Sequence, residues 1–406
     1  MRKKLTPSLI AALDIGTSKV HALVASYTPQ GIEIIGSGIS PSWGLKRGIV
    51  TNIDATIQSI QQAVTEAERM AGVKIHNVYT GIAGSHIHSL NSYGAVAIEH
   101  QEVTQKDIDR VIEAAQAVAI PADQKVLHVL PQVFMVDHQG EIREPIGMAG
   151  VRLETKVHIV TGAINAAQNI VKCIQQCGLI VDDIILEQLA SSQAVLTEDE
   201  KELGVCLLDI GGGTSDIAVF TAGAIRHTAV IPIAGDQVTH DIAVLFHTPT
   251  HSAELTKRQY ACALPDLVEN KLIEIPDVGD RPSRTLSLKS LSDVVNARYE
   301  ELFQLVKSTL QSSGYLNQLA AGLVLTGGAA DVIGCIALAE KIFKGIPVRK
   351  GPIQYQGNKA DILQAGSHAT GVGLLYYAYQ NTLQRTPVNP LQSIYGRMKA
   401  WFRNNF

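Results

Sequence analysis

The fold is decided by the stretch Asp209-Ile210-Gly211-Gly212-Gly213-Thr214-Ser215-Asp216, which has a near copy at Asp14-Ile15-Gly16-Thr17-Ser18. Each stretch lies between two apolar runs, a pattern that predicts a β-hairpin with glycine and hydroxyl residues at its tip. Glycine lets backbone N–H groups approach phosphate oxygens closely, and hydroxyl groups add donors. Two such tips that face each other can clamp a polyphosphate, with their aspartates facing a divalent cation. Either tip alone is more often an ordinary turn.

A third glycine-rich stretch, Leu325-Thr326-Gly327-Gly328-Ala329-Ala330, follows the apolar residues Leu323 and Val324. A flat adenosine can lie against the bare backbone at such a strand end. Glycines at a strand end are also ordinary loop residues, so this stretch alone indicates little. In this order and spacing, the three stretches together predict a site for ATP and Mg²⁺.

The three stretches resemble the phosphate-1, phosphate-2 and adenosine motifs of the actin/Hsp70/sugar-kinase ATPase superfamily, over about residues 8 to 380. Within that superfamily the chain most resembles the FtsA family of bacterial cell-division proteins. The closer resemblance is carried by residues 211–216, 233–236, 238–243, 325–330 and 391–406. It implies the α/β class, with an actin-like two-lobed ATPase fold, an inserted small α/β subdomain called 1C, and a C-terminal amphipathic helix.

The resemblance also implies which residues form the site. The predicted nucleotide-binding residues are Asp14, Gly16, Thr17, Ser18, Lys19, Asp209, Gly211, Gly212, Gly213, Thr214, Ser215, Gly235, Asp236, Glu254, Lys257, Gly327, Gly328 and Ala329. Asp14 and Asp209 are also the predicted Mg²⁺ ligands. Glu254 and Lys257 resemble the adenine-flanking helix of the superfamily, although a Glu–Lys pair at this spacing is often a solvated ion pair.

The predicted catalytic residue is Glu187, because the superfamily has an acidic or amide residue near the γ-phosphate in the corresponding connector. There it would position the attacking water. The alternative is a solvated carboxylate that begins a helix. The family has Pro where this chain has Gln188, and we expect slow ATP turnover at most and a mainly structural protein.

Strand and helix patterns alternate along the chain, as in α/β proteins, and divide it into subdomains. The predicted units are 1A at 1–84, 162–195 and 365–380; 1C at 85–161; 2A at 196–246 and 320–364; 2B at 247–319; a linker at 381–390; and a membrane helix at 391–406. Within 1C we predict strands near 93–98, 126–130, 133–136 and 157–161, and a helix that Thr104 caps. Farther along, we predict a helix over 239–246.

Subdomain 2B carries the predicted contact with the division polymer FtsZ, at Arg298 and Tyr299, which would open a long helix. A charged helix face without a partner is the alternative. The resemblance further implies that ATP closes the two lobes and favours a homopolymer, and that 1C recruits downstream division proteins. The implied role is a tether between FtsZ polymers and the inner membrane at the septum.

The end of the chain has a pattern of its own, after a two-proline segment at 381–390 that suits a tether. At about 100° per residue, a helix there would be apolar over an arc of about 140°. That arc carries Leu391, Ile394, Tyr395, Met398, Trp401, Phe402 and Phe406, with Arg397, Lys399 and Arg403 on its flanks and back. This pattern is typical of a helix that lies on anionic membrane lipid. The alternative is a helix docked on the protein's own core.

The composition of the chain limits the classes of protein to which it can belong. Hydrophobic residues make up 46% of the chain and the net charge is −4, which indicates a folded protein that does not bind nucleic acid. The 5 cysteines include no C-x-x-C pair, so we expect a reducing compartment. With no signal peptide and no apolar run of about 18 residues, we expect a peripheral protein on the cytoplasmic membrane face. A small-molecule kinase and a pilus-assembly actin homologue of the same superfamily remain alternatives.

Overall fold

The structure is a computed structural model that describes residues 8–279, 281–355, 357–358 and 363–384. The strands of the described residues are β1 (Ser8–Ile15), β2 (Lys19–Thr28), β3 (Gly31–Pro41), β4 (Leu45–Lys46), β5 (Ile49–Val50), β6 (Asn77–Ile82), β7 (His88–Ala97), β8 (Gln124–Val136), β9 (Gln139–Ile142), β10 (Arg152–Ala163), β11 (Ile180–Leu186), β12 (Val205–Ile210), β13 (Ser215–Thr221), β14 (Ala224–Ile231), β15 (Leu272–Ile275), β16 (Arg284–Ser287), β17 (Gly322–Thr326) and β18 (Val348–Lys350). The α-helices are α1 (Ile53–Ala71), α2 (Gln105–Gln116), α3 (Ile164–Gln176), α4 (Glu187–Val195), α5 (Glu198–Leu203), α6 (Gly235–Leu245), α7 (Thr250–Tyr260), α8 (Leu288–Ser312), α9 (Cys335–Ile342) and α10 (Ala369–Gln384).

Two five-stranded sheets form the centres of two lobes, and they are built in the same way. The strand order is β11-β6-β1-β2-β3 in the first lobe and β14-β13-β12-β17-β18 in the second. Each sheet contains an antiparallel hairpin, β1–β2 or β12–β13, whose first strand also pairs in parallel with β6 or β17. This repeat places a hairpin tip beside the end of a parallel strand in each lobe. The two predicted hairpins and the predicted strand before Gly327 are therefore confirmed.

Helix α1 lies very close to the first sheet because strand β3 has glycine where the helix crosses it. A Cβ atom at Gly36 would lie 2.5 Å from the carbonyl oxygen of Ala67, so only glycine fits there. The helix is delimited by its caps. The Asn52 side chain accepts a hydrogen bond from the Ala55 amide, and Gly72 ends the helix in the left-handed conformation at φ 69°.

Between β6 and α3 the chain forms a separate layer with its own core. Its sheet has the order β7-β10-β8-β9 and packs on α2 around buried residues such as Val111, Leu153 and Ile159. The predicted cap is present, because Thr104 accepts a hydrogen bond from the Asp107 amide while Asp107 accepts one from the Thr104 amide. We call this layer the insert.

The two strands predicted at 126–130 and 133–136 are one strand, β8, so that prediction was wrong. Pro131 lies opposite Val157 of β10, and Val133 lies opposite Lys156. A bulge between these pairs leaves Gln132 outside the ladder. A bulge is one of the few places where a strand tolerates proline, since Pro has no N–H to donate to the ladder.

The insert also contacts the second lobe, at β14, which is the edge strand of the sheet in that lobe. Three side chains of the insert donate hydrogen bonds to backbone carbonyl oxygens of that strand. The bonds are Ser89 Oγ to Thr228 (3.0 Å), Asn91 Nδ2 to Arg226 (3.1 Å) and Gln132 Nε2 to Ile225 (2.9 Å). The insert is therefore held by both lobes, although the chain enters and leaves it from the first.

Two helices begin earlier than predicted. Helix α6 begins at Gly235 rather than at 239, because the Gln237 side chain accepts a hydrogen bond from the Ala234 amide and caps an earlier turn. Helix α8 begins at Leu288, after Ser287 caps it. The prediction that Arg298 opens this helix was therefore wrong, since Arg298 lies near its middle.

The end of the chain is only partly described. Helix α10 continues to Gln384, which is four residues into the predicted linker. The rest of the linker and the predicted membrane helix lie outside the described residues. Among the helices that are described, none is both long and apolar enough to cross a membrane.

Candidate functional site

A cavity of about 560 Å³ lies between the lobes, where the tips of the β1–β2 and β12–β13 hairpins meet. The structure brings nearly all of the predicted site residues to this cavity. Those that line it are Asp14, Gly16, Thr17, Ser18, Lys19, Glu187, Asp209, Gly211, Gly212, Gly213, Thr214, Gly235, Asp236, Glu254, Lys257, Gly327, Gly328 and Ala329. Ser215 does not line it, because this residue is fully buried and its hydroxyl donates to the Ile233 carbonyl at 2.7 Å.

The two hairpin tips approach so closely that their glycines have no room for side chains. A Cβ atom at Gly213 would lie 2.7 Å from Thr17 Oγ1, and one at Gly212 would lie 3.0 Å from Ser18 Cβ. The tips therefore present backbone N–H and hydroxyl groups to the cavity, without larger side chains between them. Such a surface suits phosphate oxygens.

The N-terminus of helix α6 also points at the cavity between the two hairpin tips. The amides of Gly235 and Asp236 donate to the carbonyl oxygens of Gly211 (3.1 Å) and Gly212 (2.8 Å), which fixes the helix to the second hairpin tip. Because α6 begins at Gly235, its first turn lies at the cavity. The partial positive charge of a helix N-terminus favours an anion there.

Three buried aspartates give the cavity an excess of negative charge. Burial raises the pKa of Asp14 to about 6, although the Lys19 ammonium opposes this and Asp209 adds to it. Burial, and after it the charge of Asp209, raises the pKa of Asp216 to about 8. Burial also raises the pKa of Asp209, against a 2.6 Å hydrogen bond from the Ser191 hydroxyl. Desolvated carboxylates that repel one another are stabilised by a divalent cation.

This donor set fits Mg²⁺ bound together with a nucleotide. Mg²⁺ takes one or two carboxylates and completes its shell with phosphate oxygens and water. Asp14 comes from the first lobe and Asp209 from the second, and both line the cavity between the hairpin tips. Among the described residues, no three or more His, Cys, Asp or Glu form a metal site of their own. Asp14 and Asp209 would hold the ion, which would supply the charge that neutralises the phosphates.

Glu187 begins helix α4, is half-buried and lines the cavity. Burial, and then the charges of Asp14, Asp216 and Asp209, raise its pKa well above the ordinary value. The carboxylate packs on Gly81, where a Cβ atom would lie 2.8 Å from Glu187 Cγ. The next residue, Gln188, donates from Nε2 to Asp216 Oδ1 at 2.9 Å and so joins α4 to the second hairpin. A protonated Glu187 is a poor general base until a cation enters the cleft.

The Lys257–Glu254 pair lines the cavity and is largely shielded from solvent. Lys257 Nζ donates to the Gly235 carbonyl (2.9 Å) and the Thr239 hydroxyl (2.8 Å), and it lies 2.7 Å from Glu254 Oε2. An ammonium group has three N–H donors, so all three are in use. The pair fixes helix α7 to helix α6 at the edge of the cavity.

The two residues predicted to contact a partner have other positions. Tyr299 is only 2% exposed, and its hydroxyl donates to the Ala329 carbonyl at 2.6 Å, so the prediction that it contacts a partner was wrong. It supports the end of β17 instead. Arg298 is partly exposed and makes a two-point contact with Asp241, at 2.6 and 2.9 Å.

Sequence reasoning missed several parts of the cavity wall, among them the segment that leads into α10. Gly366, Ser367 and His368, just before that helix, and Thr370, in its first turn, line the cavity. They come together with the first hairpin only through the fold, and no local pattern marks them. Asp216 was quoted in the motif but was not assigned to the site, although it also lines the cavity.

Comparison with known proteins decides the family. The family model described as "SHS2 domain inserted in FTSA" matches residues 84–161, and the one described as "Cell division protein FtsA" matches residues 206–373. The cell division protein FtsA of Pseudomonas aeruginosa is 56% identical over 98% of both chains. Those of Neisseria meningitidis and Escherichia coli K12 are 50% and 42% identical, over 98% and 100% of both chains. The chain belongs to the FtsA family.

Solved structures place this FtsA-family chain in the actin-like fold. The type IV pilus biogenesis complex PilM–PilN matches with a TM-score of 0.65 at 15% identity, over 91% of this chain and 98% of that one. MreB5 of Spiroplasma citri bound to ADP matches with a TM-score of 0.57 at 14% identity, over 94% and 98% of the two chains. The predicted fold class, an α/β actin-like fold with an inserted subdomain, is confirmed.

The cation site of the FtsA-family cleft can be tested by removing its carboxylates. Asp14→Ala and Asp209→Ala should each lower ATP affinity at least about tenfold in Mg²⁺, or about 1.4 kcal/mol, because phosphate charge loses its neutralising ion. In EDTA the same variants should bind ATP at least as well as the parent chain, since a repelling carboxylate is gone. Titration calorimetry measures both. Asp199→Ala, at an exposed position in α5, is the control, and equal losses with and without Mg²⁺ would remove both residues from the cation site.

Proposed function

We propose that this member of the FtsA family binds Mg²⁺–ATP in the cleft and tethers FtsZ polymers to the cytoplasmic face of the inner membrane at the division septum. ATP holds the two lobes together, and closed chains assemble into a homopolymer. FtsZ binds at subdomain 2B, downstream division proteins bind at 1C, and the tail at 391–406 binds anionic lipid. ATP turnover is slow.

The observation that carries this proposal is the meeting of two hairpin tips from different lobes across one cavity. Because Thr17 and Gly213 lie so close together, a ligand bound between the tips contacts both lobes. A polyphosphate bound there contacts both lobes, so its binding stabilises the closed state. By linkage, the closed state binds the polyphosphate more tightly than the open state does. The same linkage would make assembly depend on nucleotide.

Slow turnover is supported by the state of the candidate base. Burial, followed by the charges of Asp14, Asp216 and Asp209, raises the pKa of Glu187 well above its ordinary value and so disfavours its ionised form. General-base catalysis needs the ionised form, and the neighbouring carboxylates oppose that form. Bound Mg²⁺ would offset part of the repulsion that these carboxylates exert on an ionised Glu187. A slow ATPase suits a protein whose nucleotide acts as a structural ligand.

Similarity to FtsA over nearly the whole chain favours the tether over the two alternatives. A small-molecule kinase would use the same phosphate clamps but would also need a pocket for its substrate. It would have no need to bind lipid, and adding its substrate would change the rate of ADP release. A pilus-assembly protein shares the fold, as the PilM–PilN match shows, but at 15% identity that match concerns the fold alone. Neither alternative predicts a lipid-binding tail.

A vesicle experiment tests the tether directly. Purified FtsZ with GTP, the full chain and anionic vesicles are mixed with ATP, ADP or no nucleotide, and the vesicle-bound FtsZ is measured after flotation. We expect FtsZ on the vesicles only with the full chain, and more with ATP than without nucleotide. A chain that ends at 390 should bind FtsZ in solution but leave the vesicles bare. FtsZ recruitment by that truncated chain, or none by the full chain, would contradict the proposal.

A further inference from the structure

Two histidines lie close to Lys19 of the first hairpin and to each other. His21 of β2 is completely buried, and His368 lies just before α10 at the wall of the cavity. Their rings are 4.8 Å apart in an edge-to-face arrangement. The two residues are far apart in the chain, so the fold alone brings them together. The proposed nucleotide contacts do not use either of them.

Hydrogen-bond geometry gives this cluster one consistent direction. Lys19 Nζ and His21 Nδ1 both lie 3.4 Å from His368 Nδ1. An ammonium group only donates, so His368 Nδ1 must be the unprotonated nitrogen, with its proton on Nε2. His21 Nδ1 must then carry a proton, and His21 Nε2 accepts from the Ser37 hydroxyl at 2.9 Å. Because His368 Nδ1 has a single lone pair, the two donors share it in a three-centre arrangement, in keeping with the long distance of 3.4 Å for both.

Both histidines are neutral in this arrangement, and their surroundings agree with that. Burial lowers the pKa of His368 to about 4, with the Lys19 charge adding to the effect. Burial, followed by the charges of Lys19 and His368, lowers the pKa of His21 well below its ordinary value. A neutral imidazole can accept a hydrogen bond from a lysine ammonium without repelling it.

The position of Lys19 is unusual for a cation beside two carboxylates. Asp14 and Asp209 both attract the Lys19 ammonium. Even so, among the described residues no carboxylate oxygen lies within 4.0 Å of Lys19 Nζ, while His368 Nδ1 does. A lysine side chain is long and flexible, so without this acceptor it would move to the carboxylates and pair with them. It would then occupy the place where the divalent cation is expected.

From this geometry we propose that His368, supported by His21 and Ser37, is a positioning residue that holds the Lys19 ammonium toward the phosphates and away from Asp14 and Asp209. The inference rests on the proposed ATP binding and assigns roles inside that site. One ammonium proton goes to His368, which leaves two donors for phosphate oxygens. The carboxylates stay free for Mg²⁺. The histidine pair therefore keeps the two kinds of positive charge, ammonium and metal, in separate places.

The same segment also closes the cleft on the adenosine side. A Cβ atom at Gly366 would lie 3.0 Å from the Gly327 carbonyl oxygen, and one at Gly328 would lie 3.3 Å from Ser367 Cβ. Residues 366–368 thus touch the end of β17 in the second lobe and Lys19 in the first. His368 can hold Lys19 in place only while this segment is seated against both lobes.

The test compares two substitutions of His368 in the full chain. His368→Leu removes the acceptor at Nδ1, and we expect ATP affinity in Mg²⁺ to fall about tenfold while adenosine affinity is unchanged. His368→Asn places Oδ1 near the position of Nδ1 and should restore most of the affinity. His76→Leu is the matched control, because His76 is exposed and lies just before β6. The cavity is at the other end of this strand. Thermal melting checks that each variant is folded.

A double-mutant cycle separates positioning from a merely structural role. If His368 acts through Lys19, then Lys19→Met and the double variant Lys19→Met/His368→Leu should bind ATP equally. Additive losses would overturn the inference. Nitrogen-detected NMR gives a second readout, in which His368 should be the Nε2–H tautomer and His21 the Nδ1–H tautomer. The opposite tautomer at His368 would also overturn it. If the parent chain does not bind ATP at all, the proposed function fails. If the parent chain binds ATP but the losses are additive, only the inference about His368 fails.

Discussion

Gly327→Ala is expected to lower ATP affinity about a hundredfold or more, or about 2.8 kcal/mol. Gly327 has φ 89° and ψ 160°, a combination that is essentially confined to glycine and would cost alanine about 1–3 kcal/mol. The added Cβ would also collide with Asp209 Oδ1 and lie 2.7 Å from the Ile210 carbonyl carbon. Relief of that collision must move a predicted Mg²⁺ ligand. Titration calorimetry measures the loss, and circular dichroism checks the fold.

The neighbouring glycine supplies the control for this experiment. Gly328 has no positive φ, and its Cβ would meet only the Ser367 side chain, at 3.3 Å. Gly328→Ala should therefore bind ATP within a few-fold of the parent chain, whereas Gly328→Val should lose binding because the larger side chain fills the place of the adenosine. If Gly327→Ala binds ATP normally, the nucleotide does not depend on the end of β17.

The second large effect is expected at the tail, where Trp401→Glu should abolish binding to anionic vesicles. Seven half-buried apolar side chains could contribute about 5–10 kcal/mol, and three cations about 1 kcal/mol each. Ordering the flexible residues costs about 1 kcal/mol apiece and offsets most of that gain. A glutamate at the centre of the apolar arc would have to be desolvated, and little favourable energy remains to offset it. Vesicle sedimentation measures the bound fraction.

The chain contains a second tryptophan that serves as a matched control. Trp43 is 64% exposed on the first lobe, so Trp43→Glu should sediment with vesicles like the parent chain. Binding of the parent chain should rise steeply with protein concentration, because an assembled polymer presents many tails at once. It should fall at high salt. If Trp401→Glu sediments like the parent chain, the tail is instead a helix docked on the protein.

The parts of the site that could be predicted from sequence are those with local patterns. A hairpin tip of glycines and hydroxyls lies within a few residues, and its two flanking strands fix its shape. For this reason the residues around Asp14 and Asp209 were placed correctly at one cavity. The two-lobed fold was implied by the resemblance of these motifs to those of the actin/Hsp70/sugar-kinase superfamily.

What could not be predicted depends on contacts between distant parts of the chain. His368 reaches the cavity because helix α10 returns to the first lobe, 349 residues after Lys19. The partner contact predicted at Tyr299 was wrong for a similar reason, and the hydrogen bonds of Lys257 within the second lobe also depend on distant neighbours. A charged or aromatic residue on a helix pattern is ambiguous until its neighbours are known, and both side chains have their donors satisfied within the second lobe. The bulge at Gln132 is likewise set by its partner strand β10.

The contacts between the insert and β14 have a consequence for solubility. Strand β14 is at the end of its sheet, and the carbonyl oxygens of an end strand are ordinarily open to pairing with a strand of another molecule. Here the carbonyl oxygens of Ile225, Arg226 and Thr228 already accept hydrogen bonds from side chains. Strand addition at this edge would first have to break those bonds and push the insert away. The insert therefore protects this edge strand against aggregation by strand addition.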